Sequence, residues 1–343
     1  MRVVVAMSGG VDSTLAAALL VEQGHEVHGV ALRLVDPPAG GERPDPAGAA
    51  AALGIPFTSW DLRAEFERIV VAPFCEAYVA GRTPNPCARC NARVKFGLLL
   101  DKARASGADA LATGHYTRIE TGPDGAPRLA RGADRGKDQS YFLFAVARAS
   151  LASVRFPLGG LTKDAVRSLA RERGLAVAER EESQEICFVP EGGYAAFVAS
   201  RAPVEACPPG PIIDSSGRRL GEHRGLVKYT VGQRRGLGIA AGRPLYVVAL
   251  DTAGNALVIG PEEELWRRDL VAAGVNWLVD KPPGEFHAAV RIRSRHEPAP
   301  ATIAPLGGGA WRVLFDEPQR AVTPGQAAVF HEGEFVLGGG WIR

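Results

Sequence analysis

The first 115 residues alternate short apolar, β-branched runs with longer stretches rich in alanine and leucine. The short runs suit single buried strands, and the longer stretches suit helices. Strands and helices in alternation form a parallel sheet with helices on both faces, the doubly wound α/β arrangement. Strands are predicted at residues 3–6, 27–34, 55–60 and 110–113, and helices at residues 12–23, 47–53 and 98–106.

The pattern changes near residue 200, where Pro203, Pro208, Pro209 and Pro211 cluster and predict a linker or domain boundary. The apolar runs beyond them are short and separated by glycine-rich turns, so two small β domains are expected. Their strands are predicted at residues 245–250, 256–259, 288–293, 311–315 and 327–331. Residues 36–46 are rich in proline and glycine and are predicted to form a mobile loop.

Basic residues are concentrated locally, although the net charge is only +2. Residues 215–243 contain seven Lys and Arg against one acid, and Arg291, Arg293 and Arg295 alternate along a short run. Both patches could attract a phosphate backbone. An ordinary solvated basic face explains the same pattern.

Five cysteines are too few for a disulfide framework in a chain of 343 residues. We expect no signal peptide, because the N-terminus leads directly into a predicted strand. We also expect no membrane span, because no uninterrupted apolar run reaches roughly 18 residues. These features predict a cytoplasmic protein whose cysteines are buried, catalytic or bound to metal.

The turn between the first strand and the first helix reads Ser-Gly-Gly-Val-Asp-Ser at residues 8–13. Its glycines allow backbone amides to approach a phosphate, and the following helix adds free N–H groups and the positive end of its dipole. Ser8 and Ser13 can donate hydroxyl hydrogen bonds, and Asp12 can hold Mg²⁺ or position a pyrophosphate. No Gly-Lys-Ser/Thr ending follows, so this is not a kinase-type phosphate loop.

The six residues resemble the SGGxDS loop of the PP-loop ATP pyrophosphatases. That resemblance implies cleavage of ATP between its α and β phosphates, with transfer of AMP to an oxygen of the substrate. The PP-loop class includes enzymes that form amide bonds and enzymes that insert sulfur, and the loop alone does not distinguish them. For the glycine turn taken alone, a tight turn with an N-cap is the structural alternative.

The cysteines favour the sulfur-inserting enzymes. Sulfur transfer needs one thiolate to carry a persulfide and a second thiol to release the sulfur, and Cys90 and Cys187 can supply that pair. A helix is predicted to begin after Cys90. Its positive end, together with Arg89 and Lys95, is expected to lower the pKa of Cys90.

Over nearly its whole length the chain resembles the bacterial tRNA-specific 2-thiouridylase family. The matching segments are residues 8–13, 82–86, 90–91, 95–96, 113–116, 137–143, 186–188 and 230–237. The resemblance implies a PP-loop (adenine nucleotide alpha hydrolase-like) domain of residues 1–199. A central tRNA-binding domain of residues 200–268 and a C-terminal β-barrel domain of residues 269–343 would follow it.

The resemblance also implies roles for individual residues. Cys187 matches the cysteine that carries the persulfide, Cys90 the second catalytic cysteine, and Asp12 belongs to the catalytic loop. The implied ATP-binding positions are Ala6, Met7, Ser8, Gly9, Gly10, Val11, Asp12, Ser13, Leu32 and Gly114. The implied contacts to the target base are Asn85, Pro86 and Cys87. The further implied contacts to tRNA are His115, Lys137, Asp138, Gln139, Arg293, Ser294 and Gln326. Ser294 replaces an aromatic residue common at its position.

Cys87 departs from the family, in which many members have aspartate at this position. Three interpretations remain open. Cys87 is a passive replacement beside a Cys90–Cys187 redox pair. Alternatively, Cys87, Cys90 and Cys187 hold three irons of a [4Fe–4S] cluster. In the third, Cys87 and Cys90 form half of a zinc site, although no second ligand pair is evident.

The implied activity is ATP- and Mg²⁺-dependent adenylation of the C2 oxygen of the wobble uridine in the tRNAs for Glu, Gln and Lys. Sulfur transfer then gives 2-thiouridine, with a cysteine desulfurase or a sulfur-relay protein as donor. The alternative enzyme is a PP-loop amide-forming ligase that adenylates a small molecule. A non-catalytic RNA-binding protein with a relic nucleotide fold is a third interpretation, against which the intact Asp12 and Ser13 argue.

Overall fold

The computed structural model describes residues 1–36, 45–122, 124–179, 186–190, 192–203 and 206–343. Most of the predicted mobile loop at residues 36–46 lies outside the described residues. No described helix is both long enough and apolar enough to cross a bilayer.

The described chain contains helices and strands in the following order. The helices are α1 Val11–Glu22, α2 Pro46–Ala52, α3 Arg63–Phe66, α4 Ala72–Val79, α5 Pro86–Cys90, α6 Leu100–Ala105, α7 Lys163–Glu172 and α8 Gly193–Arg201. The strands of the first half are β1 Arg2–Ala6, β2 Glu26–Arg33, β3 Phe57–Asp61, β4 Ala110–Ala112, β5 Thr117–Thr121, β6 Pro127–Arg131 and β7 Val154–Arg155. Those of the second half are β8 Gly210–Ile213, β9 Arg219–His223, β10 Tyr246–Asp251, β11 Ala256–Gly260, β12 Trp266–Trp277, β13 Phe286–Arg291, β14 Ala299–Gly307, β15 Ala310–Arg320, β16 Ala327–Glu332 and β17 Phe335–Ile342.

The N-terminal half is built on a five-stranded parallel sheet of order β3-β2-β1-β4-β7. Alternate residues of β1 pack on opposite faces: Val3 and Val5 join a core with α1, and Val4 joins a core with Phe96 and Leu99. Helices therefore cover both faces, and the predicted doubly wound α/β arrangement is confirmed. β1 lies between β2 and β4, so the strand order reverses at its carboxyl end, where open α/β sheets bind ligands.

The helix predicted at residues 98–106 begins much earlier, at Pro86. The Asn85 side chain accepts a hydrogen bond from the backbone N–H of Ala88 at 3.1 Å, and Pro86 occupies the first helical position. Both are helix-start signals. A π-helical segment, Asn91–Leu99, then continues α5 into α6 without a break. The prediction that a helix begins after Cys90 is therefore wrong.

The C-terminal part closes into a six-stranded antiparallel barrel. Its strands follow the order β12-β15-β14-β13-β16-β17, and β17 pairs with β12 to complete the ring. Trp311, Val313 and Phe315 of β15 point into the barrel core, whereas Leu314 is exposed. This period of two is the pattern of a strand with one buried face. The predicted C-terminal β-barrel is confirmed.

A smaller four-stranded sheet of order β10-β11-β8-β9 lies between these parts in the chain. The strands predicted at residues 245–250, 256–259, 311–315 and 327–331 correspond to β10, β11, β15 and β16. The strand predicted at residues 288–293 overlaps β13, which ends at Arg291. The domain limits at residues 199/200 and 268/269 stay predictions.

Candidate functional site

The turn at residues 8–13 is arranged to present backbone N–H groups. Gly9 has a φ of +76°, which favours glycine, and Gly10 caps α1 without any side-chain hydrogen bond to the first N–H groups of the helix. The backbone N–H of Ser8 donates to Oγ of Ser13 at 3.1 Å, and this bond closes the turn. The uncapped helix start is therefore suited to an anion.

Asp12 is held from the side by two residues. Nζ of Lys163 and the hydroxyl of Tyr116 each lie 2.7 Å from Oδ1 of Asp12. The Lys163 side chain is 9 % exposed and sits at the first position of α7, which packs against α1. Lys163 was not predicted as a site residue, because no local pattern connects it to a loop 151 positions away.

Gly114 allows the loop after β4 to approach the turn. A Cβ atom there would lie 2.8 Å from the carbonyl carbon of Asp12 and 2.9 Å from the backbone nitrogen of Ser13. Real Cβ atoms do not come this close to backbone atoms, so any side chain would push the β4 loop away from the turn.

A cavity of about 290 Å³ opens above the turn. Seven of the predicted ATP-binding residues line it: Ala6, Met7, Ser8, Asp12, Ser13, Leu32 and Gly114. Gly9 and Gly10 form the turn behind the wall, and the Val11 side chain packs in the core with Leu15. The cavity wall also contains Lys95, His115 and Gln139.

A second cavity, of about 170 Å³, contains three of the cysteines. Cys87 and Cys187 are accessible from it, whereas Cys90 is 8 % exposed, and all three are free thiols. The fold thus brings together residues that lie almost a hundred positions apart in the sequence. Four residues line both cavities: Leu34, Lys95, His115 and Gln139.

The pKa values of the three thiols are raised, whereas the sequence predicted a lowered pKa for Cys90. Burial raises the pKa of Cys90 to about 11, and the charge of Lys95 opposes this rise only in part. Burial also raises the pKa values of Cys87 and Cys187, and the positive charge of Lys95 again opposes the rise. The prediction that the pKa of Cys90 is lowered is therefore wrong. Cys90 is the last residue of α5 and lies inside a continuous helix, so no helix start is next to it, whereas Cys87 lies in the first turn of α5.

Phe188 fixes the position of Cys187. Its ring packs edge-on against Phe66 and Phe74, with centroids 5.6 and 5.1 Å away, and lies 5.6 Å from Phe197 of α8. Aromatic contacts of this kind each add roughly 0.5–1.5 kcal/mol beyond the burial of area. The neighbouring Cys187 is therefore positioned beside an aromatic cluster in the wall of the second cavity.

All five cysteines are among the described residues. No group of three His, Cys, Asp or Glu side chains in the described residues is placed to hold one metal ion. A cluster site needs its thiolates gathered around the irons, and a zinc site needs four ligands. As placed, Cys87, Cys90 and Cys187 share a cavity but do not fit either metal site.

Several residues expected to contact tRNA are buried within the protein. Asn85, His115 and Asp138 are 6–7 % exposed. Gln326 donates to the carbonyl oxygens of Thr83 and Pro84, at 3.0 and 3.3 Å. Lys137, Gln139, Arg293 and Ser294 are half-buried.

His115 is neutral in this environment. Its Nδ1 lies 2.6 Å from the hydroxyl of Thr113. Burial, aided by Lys95, holds the pKa of His115 well below its usual value. Of the four residues shared by the two cavities, only Lys95 is therefore charged.

The chain matches known family models along almost its whole length. Residues 1–191 match the family model described as the tRNA methyl transferase HUP domain, and residues 195–261 match the tRNA methyl transferase PRC-barrel domain. Residues 267–342 match the aminomethyltransferase beta-barrel domain.

Similar proteins cover the chain almost completely. A protein of Geobacter metallireducens is 51 % identical over 355 residues, which cover 99 % of this chain and 96 % of the relative. Relatives from Chloroflexus aggregans and Magnetococcus marinus are 51 % and 50 % identical, with 99 % of this chain and 98 % of each relative covered. Each of the three is named tRNA-specific 2-thiouridylase. With this identity over its full length, the chain belongs to the tRNA-specific 2-thiouridylase family.

Proposed function

We propose that the protein is an ATP-dependent tRNA sulfurtransferase that converts the wobble uridine of the tRNAs for Glu, Gln and Lys to 2-thiouridine. The observation that carries this proposal is the common wall between the two cavities. The turn at residues 8–13 lines one cavity, three thiols line the other, and Leu34, Lys95, His115 and Gln139 line both. One bound base could meet both an activated phosphate and a sulfur atom there.

ATP is proposed to bind in the larger cavity, with its phosphates on the turn at residues 8–13. The uncapped N–H groups of α1 and the Ser8 hydroxyl support this orientation. Met7 and Leu32 supply apolar surface suited to the adenine ring. Asp12 is the residue that would hold Mg²⁺, since carboxylate oxygens are its preferred protein ligands, and the ion would neutralise phosphate charge.

The target uridine is proposed to leave its stack and enter the cysteine cavity beside Asn85, Pro86 and Cys87. Its C2 oxygen attacks the α-phosphorus of ATP. The bond from that phosphorus to the bridging oxygen breaks, and pyrophosphate departs with the electron pair. A poor leaving oxygen on C2 has then become the good leaving group AMP.

Sulfur is proposed to arrive as a persulfide on Cys187. Its terminal sulfur attacks C2, and the C2–O bond breaks as AMP leaves. The Cys90 thiol then gives up its proton as its sulfur attacks Sγ of Cys187. The S–S bond breaks with both electrons left on the sulfur that is attached to C2, and the base takes up a proton at N3. The products are 2-thiouridine and a Cys90–Cys187 disulfide, which a thiol reductant reduces before the next turnover.

Two kinds of partner complete the proposal. A cysteine desulfurase, acting directly or through a relay protein, supplies the persulfide at Cys187, which is accessible from the cavity. The tRNA anticodon arm is held by the central and C-terminal parts, where residues 215–243 and Arg293 supply positive charge. Phosphate contacts of this kind position a nucleic acid rather than specify its sequence.

The test is anaerobic formation of 2-thiouridine from unmodified tRNA-Glu, measured by nucleoside mass spectrometry. The reaction contains ATP, Mg²⁺ and a desulfurase with cysteine, and it uses iron-free protein and protein reconstituted with iron and sulfide in parallel. Equal product from both supports the persulfide route. Product only from reconstituted protein would replace that route with a cluster. No product from either would return the chain to the amide-forming ligase interpretation.

A further inference from the structure

Lys95 occupies an unusual position in the wall between the two cavities. Its side chain lines the nucleotide cavity together with Ser8 and Asp12, and it also lines the cysteine cavity. Its charge acts on the thiols of Cys87, Cys90 and Cys187. One ammonium group is therefore close to both proposed reaction partners.

The π-helical segment Asn91–Leu99 explains how Lys95 reaches this position. In an α-helix of 3.6 residues per turn, a residue five positions after Cys90 would point well away from it. Hydrogen bonds from residue i to i+5 widen the turn and bring residues five apart towards the same face. The wider winding thus places Lys95 on the side of the helix that carries the thiols.

The charge of Lys95 is not neutralised by a carboxylate in the described ranges 1–36, 45–122, 124–179, 186–190, 192–203 and 206–343. No ion pair there involves Lys95, whereas Lys163, the other lysine near the turn, is paired with Asp12. The other shared wall residues, Leu34, His115 and Gln139, provide no charge, since His115 is neutral. An anion in the wall region would therefore find its countercharge at Lys95.

We infer that Lys95 is a catalytic residue in both half-reactions, an inference that rests on the proposed function. During adenylation, its ammonium group donates hydrogen bonds to the non-bridging oxygens of the α-phosphate as the O2–P bond forms and pyrophosphate leaves. During sulfur transfer, it stabilises the AMP phosphate that takes the electron pair of the C2–O bond. Lys95 therefore acts as a positive charge shared by the two steps.

The inference is tested with Lys95→Met, which keeps the length of the side chain and removes the charge, and with Lys95→Arg, which keeps the charge. The control is Lys102→Met on α6 of the same continuous helix, because Lys102 lies over the ring of Trp60, 5.7 Å from its centroid, and lines neither cavity. Thermal unfolding verifies that each variant is folded. Single-turnover release of pyrophosphate and formation of 2-thiouridine are measured separately.

Removing one such donor typically costs a factor of about 10²–10³ in rate. Lys95→Met should lose roughly 100-fold in both single-turnover steps, whereas Lys95→Arg should recover part of each and Lys102→Met should match the parent. Loss in only one step, or full activity of Lys95→Met, would overturn the shared role.

A third measurement does not depend on turnover. The pH dependence of iodoacetamide modification at Cys187, followed by peptide mass spectrometry, should move to higher pH in Lys95→Met, since a positive charge that favours the thiolate is gone. If the parent protein makes no 2-thiouridine, the proposed function fails, and the catalytic role of Lys95 fails with it. If the parent protein is active, an unchanged alkylation profile in Lys95→Met would show that the Lys95 charge does not act on Cys187 and would overturn the inference.

Discussion

Arg291 of the barrel donates a hydrogen bond from Nη1 to Oδ2 of Asp138 at 2.6 Å, and the two side chains are 4 % and 0 % exposed. Asp138 lies between Lys137 and Gln139, and Gln139 lines both cavities. Arg291 also donates from Nη2 to the carbonyl oxygen of Ser294. One buried guanidinium thus connects the loop that lines the two cavities with the barrel loop expected to contact tRNA.

Arg291→Met should destabilise the protein by about 3 kcal/mol, the lower end of the range for breaking a buried ion pair. The lower end applies because Arg131 remains 3.4 Å from Asp138 and compensates part of its charge. Denaturant unfolding measures this loss. The control is Arg312→Met, which breaks an exposed pair with Asp269 and should cost less than about 1 kcal/mol. Equal losses for the two variants would contradict a special role for the buried pair.

Asp138 should make the free energy of unfolding decrease as the pH falls into the acid range. Burial pushes the pKa of Asp138 up, but hydrogen bonds from Gly132 and Ser140 and the charge of Arg291 outweigh burial, so the pKa is lowered. A carboxyl with a lower pKa in the folded state stabilises the fold above its unfolded pKa, near 3.9, and loses that contribution as the pH falls through its folded pKa. Asp138→Asn should be less stable at neutral pH and lose less further stability below about pH 4. Parallel stability curves for parent and variant between neutral and acid pH would refute this.

Lys163→Met should impair activation of the nucleotide through Asp12. Without its partner, the Asp12 carboxylate keeps only the Tyr116 hydroxyl and is no longer fixed beside the phosphate-binding turn. Single-turnover pyrophosphate release should fall roughly 100-fold, whereas tRNA binding should be unchanged. Arg171→Met on the same helix removes an exposed pair with Glu179 and serves as the control. A normal rate for Lys163→Met would show that the pair with Asp12 is structural only.

The three cysteines in the second cavity should differ when each is replaced by serine. Cys187→Ser should fail to accept labelled sulfur from the desulfurase, and Cys90→Ser should accept sulfur but not complete its transfer to tRNA. Cys87→Ser should retain activity, because the persulfide route does not use this thiol. Gel fluorography of labelled protein and nucleoside mass spectrometry separate the two steps. A cluster would be favoured if Cys87→Ser were inactive with and without iron reconstitution and the parent protein were active only after reconstitution.

Local signals in the sequence were sufficient for the nucleotide turn and for the sheet around it. The glycine turn at residues 8–13 and the valine run of β1 act over a few residues, so their pattern could be recognised without the fold. The start of α5 carried a signal that was misinterpreted. Proline is favoured at the first position of a helix, and Pro86 occupies that position in α5, whereas the predicted helix start lies after Cys90.

Other parts of the site depend on long-range packing and could not be predicted from local patterns. The pair between Lys163 and Asp12 joins residues 151 positions apart. The high pKa of Cys90 results from burial in the assembled cavity, which outweighs the neighbouring positive charge considered in the sequence. The four residues that line both cavities come from separate segments of the chain: the end of β2, the π-helical segment, the β4 loop and the loop before Ser140.

The hairpin of β5 and β6 precedes the barrel by more than a hundred residues. It nevertheless joins the barrel's sheet, because β6 pairs with β17 where Ala130 lies opposite Phe335. The backbone N–H of Arg131 adds a hydrogen bond to the carbonyl oxygen of Glu334. A chain cut near residue 200 would remove this neighbour and leave β6 with an open edge, a known template for aggregation. A substitute barrel would therefore need an edge strand that pairs with β6, so this barrel could not be exchanged for another without regard to the hairpin.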